Sequence, residues 1–241
     1  FVLLSSNNLL VPDDFCASLM KNKSIVIVDS ILDEYGVKND GQAFIPESIS
    51  LFHIGIQSYY NYTQNRKSIN QVIRLGQFRD QNNDAEPFFR STPATIINFN
   101  SVRYSDFPES FSKNPNGFYA EEICHLSWFS ANSNTQKLVI LKGFDVSASI
   151  NNLGVNLISQ VIWYLNDGYC KRVLEDPSKS LNGFKEYHIE NNKIPEKLVF
   201  YQSVRTNKYW FKYGQNSFVA CTKQDMIDVL EDIIPDRLWK K

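Results

Sequence analysis

Ala94-Thr95-Ile96-Ile97-Asn98-Phe99-Asn100-Ser101-Val102-Arg103 is the stretch on which the reading of this chain turns. Its first half is nearly continuous in apolar and β-branched residues, as in a strand covered on both faces; a half-solvated strand would alternate. It then breaks into Asn98, Asn100 and Ser101, so polar side chains are delivered where the strand ends. Runs of the same character recur at 1–4, 24–28, 51–56, 71–78 and 137–143. The segments between them show helical spacing, and together these features predict an α/β fold with a mainly parallel sheet.

Two helices stand out. One covers 153–169, where Leu153, Leu157, Val161, Ile162 and Leu165 recur at three- and four-residue steps and Asn151 or Asn152 can cap the start. The other covers 119–130. In the last third, 198–201 and 209–211 flank the polar tip Arg205-Thr206-Asn207-Lys208 and read as a β-hairpin, followed by a helix over 224–232 that Thr222 can cap. The polar stretches 59–70 and 79–86 read as surface loops, and Asn116-Gly117 as a turn needing positive φ. The whole, 1–241, reads as one domain, with 195–241 a hairpin-and-helix extension packed on it. The chain opens without methionine on Phe1-Val2-Leu3-Leu4, a buried strand already in progress, so an N-terminal part reads as absent.

A hydrophobic share of 43% over 241 residues can bury one large core. The 25 basic and 26 acidic residues are interleaved and nearly cancel, leaving no field for a phosphate backbone or an anionic bilayer. Neither nucleic acid nor a membrane is expected as partner, and no apolar run reaches the roughly 18 residues of a spanning helix. Cys16, Cys124, Cys170 and Cys221 are widely spaced, with no CxxC pair, which points to reduced thiols and a cytoplasmic address.

Residues 114–124, Asn-Pro-Asn-Gly-Phe-Tyr-Ala-Glu-Glu-Ile-Cys, and 160–169, Gln-Val-Ile-Trp-Tyr-Leu-Asn-Asp-Gly-Tyr, resemble a divergent, formiminoglutamase-like branch of the arginase/agmatinase/formiminoglutamase (ureohydrolase) family. Residues 198–201, 208–210 and 234–239 carry the likeness to the end of the chain. The resemblance implies a three-layer α/β/α arginase-like fold whose first strands lie outside this sequence, with the opening run beside the 137–143 strand. Active members hold two manganese ions at the strand ends, and these activate a hydroxide that attacks a guanidinium or formimino carbon.

Against that pattern the ligand positions are altered. The Gly-Gly-Asp-His motif reads Ser5-Ser6-Asn7-Asn8, so Asn8 replaces the ligating histidine. Asp-Ala-His-x-Asp reads Asp29-Ser30-Ile31-Leu32-Asp33, keeping both acids but placing Ile31 for histidine. Asp-x-Asp-x-x-Asp reads Asn98-Phe99-Asn100-Ser101-Val102-Arg103, so two carboxylates become amides and a third becomes a cation. Asp145 corresponds to a further acid, leaving Asp29, Asp33 and Asp145 as a remnant trio. Hard divalent ions require carboxylates and imidazoles. The expectation is a pseudoenzyme with no catalytic residues, no bound metal and a structural or ligand- or protein-binding role.

The alternative is a metal-dependent amidinohydrolase (formiminoglutamase-, agmatinase- or arginase-like) that hydrolyses a linear amidine with an altered site. Plainer roles compete for the remnant residues: Asp29 and Asp33 can accept backbone N–H groups, and Arg103 can pair with the surviving acids in place of metal. Cys124 and His125 are adjacent on a helix and diverge by about 100°, so they read as a core and a surface residue rather than a nucleophile and its base. His53 and His188 are isolated in sequence. The partners this leaves are a second copy, another protein, or a cationic small molecule held by Asp29, Asp33 and Asp145.

Overall fold

Residues 2–5, 24–31, 49–59, 69–145, 152–214 and 216–239 are described by a computed structural model. They form two compact units, Phe1–Arg172 and Val173–Lys241. The first is built on six parallel strands: β1 (Val2–Ser5), β2 (Ser24–Val28), β3 (Ser50–Ile56), β4 (Ile69–Arg74), β5 (Ala94–Asn98) and β6 (Leu138–Lys142), in the order β1-β6-β5-β2-β3-β4. The opening strand lies beside β6, with Leu3 paired to Ile140, as the resemblance implied.

Every side chain of β2, β5 and β6 is buried, so these strands are covered on both faces. One face carries Val26, Val28, Ile97, Val139 and Leu141 into a core shared with four helices: α1 (Leu75–Asp80), α2 (Glu86–Ser91), α3 (Ala120–Ala131) and α4 (Leu153–Cys170). Burying each such aliphatic side chain is worth about 1.5–3 kcal/mol, so the central strands anchor the unit. Helices α3 and α4 meet closely because Gly168 presents no side chain: a Cβ there would lie 2.7 Å from the Trp128 carbonyl oxygen. Trp128 Nε1 in turn donates to Asp167 at 2.9 Å.

Three expectations are corrected here. The 71–78 run is not one strand: β4 ends at Arg74 and α1 begins at Leu75, where Arg74 N–H donates to Gln77 Oε1 in a capping arrangement that turns the chain into helix. The polar 79–86 stretch is largely helical, running from the end of α1 through a short 3₁₀ turn over Asn82–Ala85. Asn152 stands at the cap position of α4 in the left-handed region, yet its side chain makes no capping bond.

The second unit begins at Val173, earlier than the 195–241 extension expected. Its four antiparallel strands are β7 (Phe184–Asn191), β8 (Ile194–Ser203), β9 (Tyr209–Tyr213) and β10 (Ser217–Cys221), ordered β10-β9-β8-β7. The expected hairpin is its β8–β9 pair. The sheet starts earlier because Phe184–Asn191, too polar to read as a strand alone, pairs with β8 along most of its length. Ile189, Phe200 and Phe211 pack with Met226 and Val229 of α5 (Lys223–Leu230), whose start Thr222 caps by accepting from Asp225 N–H at 3.1 Å.

Candidate functional site: the crevice at the strand ends

The chain runs β2, β3, β4 toward one edge and β5, β6 toward the other, so the sheet reverses direction between β2 and β5. In open α/β sheets the carboxyl ends of strands at such a reversal frame the usual ligand crevice. The residue after β2 is Asp29 and the last residue of β5 is Asn98, both 1% exposed. Asn98 Nδ2 donates to Asp29 Oδ2 at 2.7 Å, and the other carboxylate oxygen accepts Ser30 N–H at 2.7 Å and Ile31 N–H at 3.4 Å. The two strands are thus bridged side chain to side chain across the crevice.

The amides continue the chain of bonds. Asn98 Oδ1 accepts Asn100 N–H at 3.1 Å, and Asn100 Oδ1 accepts Ser110 Oγ–H at 3.0 Å and Ser112 N–H at 3.2 Å. Gly143, just past β6, has φ +85°, and a Cβ there would overlap Asn98 Oδ1. Its lack of a side chain therefore lets the Asn98 amide lie flat against β6.

The loop from β5 to α3 closes over this polar knot. Phe118 is fully buried with its ring where a Cβ of Gly55 would be, and its N–H donates to Ser101 O at 2.8 Å. Phe99, Phe107 and Phe144 pack as an aromatic cluster, while Asp145 N–H donates to Glu109 O at 3.1 Å. Gln57 Nε2 reaches Asn116 O at 3.0 Å. Gly117 does not adopt positive φ, contrary to the turn expected; it is glycine because a Cβ would collide with the Ser101 carbonyl and lie 2.7 Å from Arg103 N.

Of the sequence-derived positions, Asp29, Ile31, Asn98 and Asn100 come together, and Asp145 is tied to the same loop. Asn8 and Asp33 lie outside the described residues. Arg103 does not turn to the surviving acids: its Nε donates to Asp106 Oδ1 at 2.6 Å and its guanidinium rests on the Tyr119 ring, against which Arg79 also packs. Asp106 explains this, because its second oxygen caps α3 by accepting Ala120 N–H at 3.0 Å. Burial pushes the Asp106 carboxyl up, but the bonds from Arg103, Ala120 and Ser105 outweigh it and hold the group below its ordinary value. Sequence reasoning missed Ser110 and Ser112, which no motif marks, and gave no role to Phe118 although it lies within the 114–124 motif; the glycine that follows β6, Gly143, is a signal that could have found the close approach there.

His125 is partly exposed and packs against Phe129, and burial lowers its pKa; burial pushes the Cys124 thiol up to about 11. His53 is buried within β3, and His188 lies in β7 beside Glu186 at 2.9 Å. A groove of about 370 Å³ on the helical layer is lined by Phe78, Arg79, Glu121, Glu122, His125 and Tyr164, where Arg79 already pairs with Glu122 at 2.9 Å. Among the described residues no three His, Cys, Asp or Glu side chains gather as a metal site.

Comparison with solved structures follows the same architecture. Formimidoylglutamase from Bacillus subtilis aligns with a TM-score of 0.60 at 14% identity, over 72% of this chain and 62% of that one. Trypanosoma cruzi formiminoglutamase, solved with Mn²⁺, gives 0.61 at 15% over 71% and 66%. The fold is that of the arginases. Helicobacter pylori arginase itself aligns at 0.52 and 13% identity, over 70% of this chain and 71% of its own. The chain thus spans less than two thirds of the first two enzymes' length. No protein-family model and no curated protein matches the sequence. No helix among the described residues is long and apolar enough to cross a membrane.

Proposed function

We propose that this chain is a catalytically inactive protein of the arginase fold, in which the crevice used for metal-dependent hydrolysis in enzymes such as T. cruzi formiminoglutamase has become a structural joint. The observation that carries the reading is the Asn98-to-Asp29 hydrogen bond at 2.7 Å. A divalent ion between β2 and β5 needs oxygen lone pairs from both strands, but Asn98 turns an N–H donor toward the acid. That donor would face the ion with its positive end. Asn100 adds no charge, and its carbonyl oxygen is already engaged by Ser110 and Ser112. The described side chains therefore do not fit a manganese pair. What remains is a set of polar groups that satisfy one another and lock the loop over the strand ends.

The test is a hydrolysis assay of formiminoglutamate, agmatine and arginine with the manganese-supplemented chain. The expected result is no turnover above buffer. Turnover of any of the three that is lost on Asp29→Asn would overturn the proposal and favour an amidinohydrolase with an altered site.

A further inference from the structure

The chain contains two Asn-Gly steps, Asn116-Gly117 and Asn182-Gly183, and the fold holds them differently. Asparagine is thermally labile, and most so before glycine, whose nitrogen has no neighbouring Cβ to keep it from the asparagine side-chain carbon. Whether the two groups meet depends on how freely the peptide between them turns.

At the first step that freedom is gone. Asn116 N–H donates to Asn114 Oδ1 at 3.1 Å, the Asn116 carbonyl oxygen accepts from Gln57 Nε2 at 3.0 Å, and the Gly117 carbonyl oxygen accepts from Arg79 Nη2 at 2.7 Å. Gly117 is buried and wedged on the 101–103 backbone, where a Cβ would lie 2.7 Å from Arg103 N. Turning this peptide would break those contacts together.

The second step is open. Asn182 and Gly183 are both exposed, at the centre of a tight turn closed by Phe184 N–H donating to Leu181 O at 3.1 Å. Gly183 has φ +85°, the positive value a type II turn requires at that position. A Cβ on it would meet nothing within 4 Å, so no neighbour crowds the reacting nitrogen. Asn182 N–H donates to Ser180 Oγ at 3.2 Å and Gly183 O accepts Val204 N–H at 2.9 Å, but both bonds lie outside the peptide unit that must turn. Among the described residues the Asn182 side-chain amide has no hydrogen-bond partner.

We propose that Asn182 is a site of spontaneous deamidation, through a cyclic imide, that places isoaspartate in the turn before β7. The Gly183 nitrogen gives its proton to hydroxide and bonds to Asn182 Cγ; the Cγ–Nδ2 bond breaks, and Nδ2 leaves as ammonia. Water then opens the ring. Cleavage between Cγ and the nitrogen gives aspartate, and cleavage at the main-chain carbonyl carbon of residue 182 gives isoaspartate, whose main chain runs through Cβ and Cγ. One water enters and one ammonia leaves, so no further reactant is needed. Isoaspartate lengthens the main chain by one carbon directly before Phe184, whose backbone pairs with Ser203 and whose ring packs on Trp210 at 5.3 Å. Strand β7 stands at the end of its sheet, so the change falls where a single neighbouring strand holds the chain. The proposal does not depend on whether the crevice binds metal.

The experiment ages the 241-residue chain in mildly alkaline buffer, once folded and once in urea, and follows both Asn-Gly peptides by mass spectrometry. Isoaspartate is located on the separated peptides by labelling with a protein-isoaspartate methyltransferase and methyl-labelled S-adenosylmethionine. In urea only the local sequence acts, and the two steps should convert at similar rates. In the folded chain Asn182 should convert at least about tenfold faster than Asn116, because reaction at Asn116 waits for local opening. The labelled product should lie in the Asn182 peptide. Equal rates at the two steps in the folded chain, faster conversion at Asn116, or an Asn182 peptide that takes up no methyl label would each overturn the proposal.

Discussion

The crevice between β2 and β5 is a place where polar side chains satisfy one another, whereas the outer face of α4 is a place where large apolar ones face solvent. In open α/β sheets the strand ends usually frame the ligand crevice, and helix faces turned to solvent usually carry charge. Here the usual open end is knotted by Asp29, Asn98, Asn100, Ser110 and Ser112, and the chemically plain helix carries the exposed aromatic surface. The difference lies in what an amide can do at a strand end: it both donates and accepts, so Asn98 bridges Asp29 and Asn100 and ties the ends of two strands together.

The sharpest way to break the comparison is at Gly143. Its φ of +85° and the overlap of any Cβ with Asn98 Oδ1 predict that Gly143→Val lowers unfolding free energy by about 3 kcal/mol or more, read from urea melts. Destabilisation under about 1 kcal/mol would mean that the knot is not rigid. Next is Asn98→Asp, which replaces the donor facing Asp29 with a second buried carboxylate. A loss of about 2–3 kcal/mol is expected at pH 7. Such a pair must take up a proton to fold, so its joint proton affinity is raised. The penalty is therefore present at neutral pH and fades as pH falls into the range where the pair is protonated. A variant equally destabilised at pH 5 and pH 8 would refute the charge argument.

On α4 the two faces should separate cleanly. Leu157→Ala, 3% exposed, is expected to cost about 3 kcal/mol, while Ile162→Ala, at an exposed position, should change stability by less than about 0.5 kcal/mol. Equal effects would erase the distinction. The smallest effect expected is at Asp106, whose carboxyl is held below its usual value. Its contribution is present above the ordinary carboxylate value and lost as pH falls through the lowered folded-state value, so Asp106→Asn should melt about a degree or two below wild type at pH 7 and converge with it once the pH has fallen below that value.

Much of this was legible in the residues. Continuous apolar runs located β2, β3, β5 and β6, because strands covered on both faces leave no polar alternation to confuse them. Asp29, Asn98 and Asn100 were picked out by the resemblance to the family's ligand motifs, and Asp29 and Asn98 meet because the neighbouring parallel strands β2 and β5 end side by side. The β4–α1 junction was not, since Leu75 and Phe78 are buried helical residues that read as a continuation of the strand. Strand β7 was hidden for the opposite reason: its lysine, glutamates and histidine suit a half-solvated antiparallel strand whose partner, β8, the sequence does not name. The outcome at Arg103 depended on Asp106, three residues away on a loop whose course no pattern fixes. Leu153 and Ile162 were read with the core side of α4 because three- and four-residue spacing continues around an apolar helix, and only the packing against α3 decides which side is buried.

The central claim is that the crevice has exchanged metal for hydrogen bonds, and the most direct measurement is metal content. The chain should be purified in excess manganese, dialysed against manganese-free buffer and analysed for bound ions per chain. The account predicts well under one manganese per chain, alongside appreciable retention when Asn8→His, Asn98→Asp and Asn100→Asp are combined. Two manganese ions per wild-type chain, held through dialysis and released by Asp29→Asn, would contradict it.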